Sequence, residues 1–180
     1  MTAFVSLFRG INVGGHHKVP MAELKALHEA LDFKNVSTYI QSGNVAFTSD
    51  HTDPSQIPGL IEDAFAQNFG YRVNVLVRTS TELQAIIDNN PFAHYALKEP
   101  KWLVVLFLPI CPEPTALEDF QKLYPGPEEL YLAGQELYIF YPDSIGHSKL
   151  PQALLEKKLK TTGTARNWNT VLQLQKLTQS

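Results

Sequence analysis

"NVSTYIQSGNVAFT", residues 35–48, holds two strand-like runs, 35–40 and 44–48, separated by Gln41-Ser42-Gly43. So short a polar break with a glycine is a tight-turn signal, and the two runs are expected to pair as a hairpin. Upstream, Met21, Leu24, Leu27 and Leu31 recur at helical spacing, and Pro20 suits a first helical position. Residues 4–8, earlier still, are nearly all apolar, as a central strand requires. Downstream, Asp53-Pro54 opens a second helix with Ile57, Leu60, Ile61, Ala64 and Phe65 on one face, closed by Gly70. Residues 72–77 read as a fourth strand. Thr79 to Glu82 form a capping box for a third helix, which must stop before Pro91.

The second half repeats this order. Residues 102–108 form an apolar strand, and Leu117, Phe120 and Leu123 mark a helix. Residues 129–132 and 136–141 are strands joined by Ala133-Gly134. Ser148 can cap a helix carrying Leu150, Leu154, Leu155 and Leu159, with a short strand at 162–166 and a last helix at 168–177 to follow. The expected fold is therefore α+β: two tandem ferredoxin-like (β-α-β-β-α-β) plaits, each followed by a helix, with units at 1–95 and 96–180. The repeat is one of pattern, not of residues.

A plait of this kind has an antiparallel sheet ordered 4-1-3-2. The loop after the first strand and the turn of the hairpin then lie at the same sheet edge. Residues 9–15 should face Gln41, Ser42, Gly43 and Asn44. That opening loop, within "LFRGINVGGHHKVPM" at 7–21, combines flexible glycines with Arg9 and Lys18 ahead of a helix start, which are the ingredients of an anion site. It matches neither G-x-G-x-x-G nor G-x-x-x-x-G-K-[ST], and glycines also serve merely to supply positive φ. Both readings are open on spacing alone.

Composition narrows the class. The chain has 180 residues, 44% hydrophobic and 18% charged, with a net charge of −3, as a globular protein does. Cys111 is the single cysteine, and the first residues lack a basic, cleavable leader, so a cytoplasmic protein is expected. No membrane association is expected, since the longest apolar run, 102–110, is half of the roughly 20 residues a bilayer demands. Beyond residue 144, Lys149, Lys157, Lys158, Lys160, Arg166 and Lys176 face only Glu156. Such a surface can attract an anion or simply be a solvated helix face.

No metal or cofactor is expected. The histidines form no HExxH or i, i+4 pair, and Cys111 stands alone. His28 reads as a surface residue of its amphipathic helix. Ser42 sits in a Ser-Gly-Asn turn with no G-x-S-x-G elbow around it, so nothing marks it as a nucleophile. Arg166 just precedes the last helix, with Asn167 as its cap and Asn169 and Thr170 following. That arrangement fits either an anion receptor or a plain cap.

The segments FRGINVGG, VPMAELKAL, TYIQSGNVAF, NPF at 90–92 and TARNWNTV at 164–171 resemble the bacterial domain-of-unknown-function 1697 family. The resemblance spans essentially the whole chain and implies a cytoplasmic protein of two ferredoxin-like units with no established activity. It singles out Arg9, Gly10, Asn12, Gly14, Gly15, Gln41, Ser42, Gly43, Asn44, Arg166, Asn167 and Thr170. These residues fall in turns, where packing alone seldom demands such side chains, and that favours a site. The expected ligand is a small phosphate- or carboxylate-bearing metabolite, bound by these residues and Lys18. A nucleic-acid module is the alternative, weakened by the acidic balance and by SGNVAF lacking the basic lead and stacking aromatics of an RNA-recognition strand. A protein-interaction domain using Tyr131, Tyr138 and Tyr141 is a third.

Overall fold

Apolar side chains at alternate strand positions and at helical spacing dictate two layers in each half of the chain. The computed structural model describes residues 1–179. Two compact units are formed: one from Met1–Ala85 together with the chain from Gln173 onward, the other from Ile86–Leu172.

The first unit contains β1 (Thr2–Phe8), α1 (Met21–Ala30), β2 (Lys34–Thr38), β3 (Asn44–Ser49), α2 (Ile57–Phe69), β4 (Val75–Thr79) and the start of α3 (Ser80–Asp88). Its antiparallel sheet is ordered β2-β3-β1-β4, the expected 4-1-3-2. Phe4 and Phe8 of β1, Val45 and Phe47 of β3 and Val75 of β4 pack beneath Leu24 and Leu27 of α1 and Ile57, Ile61 and Phe65 of α2. Each such side chain contributes about 1.5–3 kcal/mol by leaving water. Gly70 ends α2 at φ 80°, and the capping box of α3 is formed: Thr79 N–H donates to Glu82 Oε2 (2.7 Å) and Glu82 N–H to Thr79 Oγ1 (3.0 Å).

His28 departs from expectation. It is fully buried, not on the surface. Its Nδ1 donates to Leu24 O (2.8 Å), so Nε2 is free to accept the hydroxyl of Ser6 on β1 (2.8 Å). The rings of Phe8, Phe33 and Phe47 surround it. Burial disfavours the imidazolium and lowers the pKa to about 4.

The second unit contains α4 (Ala93–Lys98), β5 (Leu103–Phe107), α5 (Ala116–Leu123), β6 (Glu129–Ala133), β7 (Glu136–Phe140), α6 (Gln152–Leu159), β8 (Thr164–Asn167) and the first turns of α7 (Trp168–Gln179). Its sheet repeats the order as β6-β7-β5-β8. Val104, Leu106, Leu137 and Ile139 pack against Phe120 of α5 and Leu155 and Leu159 of α6. Two expectations shift here. The residue capping α6 is Pro151, while Ser148 bonds to Leu150 N–H and to Glu128. Tyr138 and Tyr141 are buried, leaving Tyr131 as the exposed member of the proposed aromatic surface. The later turns of α7 return to the first unit, where Gln175 Nε2 donates to Gln84 Oε1 and Thr178 Oγ1 to Ser80 Oγ, both at 2.9 Å.

Candidate functional site

The loop after β1 and the β2–β3 turn meet at the sheet edge. The Phe8 amide donates to Gly43 O (2.9 Å), and the Arg9 amide to Asn74 O (3.1 Å). Beyond them the chain forms a small closed turn. Asn12 N–H reaches His17 O (3.0 Å) and His16 N–H reaches Val13 O (3.0 Å), with Gly14 and Gly15 in the left-handed region. Asn12 itself has φ 55°, a conformation that asparagine tolerates better than most residues.

The Asn12 side chain clasps both loops. Its Nδ2 donates to Val19 O (3.0 Å) and Gln41 O (2.8 Å), while its Oδ1 accepts the Val19 amide (2.7 Å). Only a side chain with both a donor and an acceptor can do this. Gly43 is confined twice over. Its φ is 91°, and a Cβ there would lie 2.6 Å from Ile11 Cδ1 and 2.8 Å from Phe8 Cβ. Asn44 is fully buried, donating from Nδ2 to Tyr39 O (2.9 Å) and Ser42 Oγ (3.0 Å). It holds the hairpin turn rather than facing solvent.

Beside this clasp lies an open groove of about 430 Å³, lined by Asn12, Gly15, Lys18, Val19, Pro20 and Gln41. Lys18 is its cation. Pro20 caps α1 with no side-chain hydrogen bond to the helix, so the first-turn amides have no side-chain acceptor. Of the residues nominated by sequence, Asn12, Gly15, Lys18 and Gln41 thus border one groove. Arg9, Gly10, Gly14, Ser42, Gly43 and Asn44 belong to the same corner without lining it. Arg9 is half-buried.

Arg166, Asn167 and Thr170 lie in the second unit. Asn167 Oδ1 accepts the Thr170 amide (3.0 Å) and so caps α7. Arg166 is 8% exposed, donates from Nη1 to Ala165 O (2.8 Å), and has its pKa lowered to about 10 by burial, which leaves it charged at neutral pH. Sequence reasoning passes over its counterpart in the first unit. Arg78 on β4 is equally buried, and it too directly precedes a helix cap. Arg78 lies opposite Val5 of β1, as Arg166 lies opposite Val105 of β5. The legible signal was an arginine one residue before a cap in each half. Among the described residues, no group of three or more His, Cys, Asp or Glu could hold a metal ion, and no helix is long and apolar enough to cross a membrane.

A mixed α/β chain with two four-stranded antiparallel sheets and this asparagine-clasped corner can be placed by comparison. Residues 1–138 match the model of the family described as "Protein of unknown function (DUF1697)", and the chain belongs to that family. It is also similar in fold to a solved conserved bacterial protein of Streptococcus pneumoniae, with a TM-score of 0.73, 24% sequence identity and 98% of each chain covered. No curated protein matches.

Proposed function

We propose that the protein binds a small anionic metabolite, bearing a phosphate or a carboxylate, in the groove beside the 12–19 loop. The observation that carries this reading is the convergence of Lys18, Gly15 and Pro20, which starts α1 without a side-chain cap, on one open groove whose wall Asn12 fixes. Amides at a helix start favour negative charge, and an ammonium adds to that field. In this reading Arg9, Gly10, Gly14, Ser42, Gly43 and Asn44 are the frame that keeps the groove in shape. Arg166, Asn167 and Thr170 lie in the second unit, where Arg166 directly precedes the Asn167 cap of α7. The halves 1–95 and 96–180 are each a ferredoxin-like plait. Supporting this, both sheets have the same strand order, with two helices packed on one face.

The test is a thermal-shift series with inorganic phosphate, sugar phosphates, small carboxylic acids and short oligonucleotides. The melting temperature of the wild type should rise with the concentration of one anion class, as preferential binding to the folded state requires. Lys18→Ala should melt at the wild-type temperature and lose the response. A flat wild-type response, or one that survives Lys18→Ala, contradicts the proposal. Stabilisation by oligonucleotides alone, lost steeply with salt, would favour the nucleic-acid alternative.

A further inference from the structure

A second cavity, of about 220 Å³, lies wholly within the second unit, between the end of α5 and the segment that follows β7. Its walls include Tyr124, Glu128, Tyr141, Asp143, His147 and Ser148. None of these belongs to the corner described above. Glu128 is 8% exposed, an unusual place for a carboxylate unless it has a compensating charge. The protein gives it hydroxyls only. Tyr124 Oη donates to Oε2 (3.0 Å) and, more weakly, to Oε1 (3.2 Å), and Ser148 Oγ donates to Oε1. Lys149 borders the cavity, yet among the described residues no lysine, arginine or histidine pairs with Glu128.

Tyr141 makes the same point from the other wall. It is as buried as Glu128, and its hydroxyl has no hydrogen-bond partner among the described residues. Burial, with Glu128 nearby, pushes that hydroxyl up to about 12, so it stays a neutral donor and acceptor. The remaining groups are held in place. His147 Nδ1 lies 3.0 Å from Asp143 O and 3.2 Å from Ser144 Oγ, and Ser144 adopts φ 76°. A buried carboxylate without a cation, an unused phenol and the side chains of two tyrosines in one cavity want the same thing. An ammonium group would neutralise Glu128, donate to Tyr141 Oη and sit against the rings.

We infer that this cavity is a binding site for a small organic cation, a primary ammonium on a short carbon chain, with Glu128 as its counter-ion and Tyr141 as its second hydrogen-bond partner. The test is an amide NMR titration of the full chain with n-propylammonium chloride, against sodium chloride at matched ionic strength and n-propanol as the neutral analogue. Saturable shifts should be confined to the segments around 124–128 and 141–149, and n-propanol should bind at least about tenfold more weakly. Glu128→Gln should weaken binding about tenfold or more. Because Glu128 also anchors Tyr124 and Ser148, Tyr141→Phe provides the arm free of folding effects: it loses no protein hydrogen bond, should melt like the wild type, and should still bind several-fold more weakly. Shifts that never saturate, equal binding of n-propanol, or unchanged affinity in a folded Tyr141→Phe protein would each overturn the inference.

Discussion

The two units share a strand order but not a loop. In both, the residue that follows or ends the first strand donates its amide across to the hairpin turn: Phe8 to Gly43 O (2.9 Å) in one, Leu108 to Gln135 O (2.8 Å) in the other. That bond is what the topology itself needs. In the first unit the chain then enters a run of left-handed residues clasped by Asn12. In the second it leaves through Pro109, Pro112 and Pro114, and among residues 108–115 none has positive φ. There the Gln135 side chain reaches back to the loop through an exposed bond, Nε2 to Pro109 O (3.3 Å). The second unit thus reaches the same strand order without this loop's left-handed run or its clasp.

The hairpin glycines offer the sharpest way to break this comparison. Gly43→Ala combines a forbidden φ with overlap of Ile11 and Phe8, and should destabilise the chain by about 3 kcal/mol or more. Gly134→Ala, at φ 60° with nothing near its Cβ, should cost only about 1 kcal/mol. Urea unfolding of both variants measures the gap, and equal costs would mean that the two turns are built to the same tolerance.

Acid should separate the units next. The folded first unit keeps His28 neutral down to about pH 4, whereas the unfolded chain takes up a proton near the ordinary histidine value of 6.5. The unfolded state therefore binds more protons in between, and stability falls as pH drops from about 6.5 to about 4, by at most about 3 kcal/mol. Among the described residues, the second unit buries no histidine. Amide exchange followed against pH should show the first unit loosening first, and His28→Leu should flatten that dependence while lowering the plateau.

Smaller effects bear on the clasp. Asn12→Ala removes three hydrogen bonds and leaves the Val19 amide without its acceptor, which should cost about 2 kcal/mol and speed exchange at Val19. Gln135→Ala, its exposed counterpart, should change stability by less than about 0.5 kcal/mol. Lys18→Ala should leave stability alone and act only on ligand response.

The hairpin at 35–48, the strand order and the meeting of the 9–15 loop with the 41–44 turn were legible in sequence, because alternation and turn residues are local signals. What the corner residues do was not. Asn12 and Asn44 look alike as polar turn residues, and only the folded chain shows that one clasps two loops while the other is buried under a turn. His28 escaped because its partner Ser6 sits on a different element, so a polar residue in an amphipathic helix had nothing local to explain its burial. Helix α4 was unread for a related reason. Asn90 Oδ1 accepts the Phe92 amide (2.9 Å) and turns the chain into a short helix that starts at Ala93, two residues past Pro91. The start of β4 slipped from 72 to Val75 because Arg72 points outward to Glu62 and Asp63, and the Val75 amide is drawn to Glu62 Oε1 (3.1 Å).

The most direct measurement of whether the corner is a site or a scaffold is an amide NMR titration with sodium phosphate at constant ionic strength. The account predicts saturable shifts at Gly15, Lys18 and Val19 and at the Asn12 and Gln41 side-chain amides, with residues 108–115 and 133–136 of the second unit unmoved. Shifts of equal size at both sheet edges, or at neither, would contradict it.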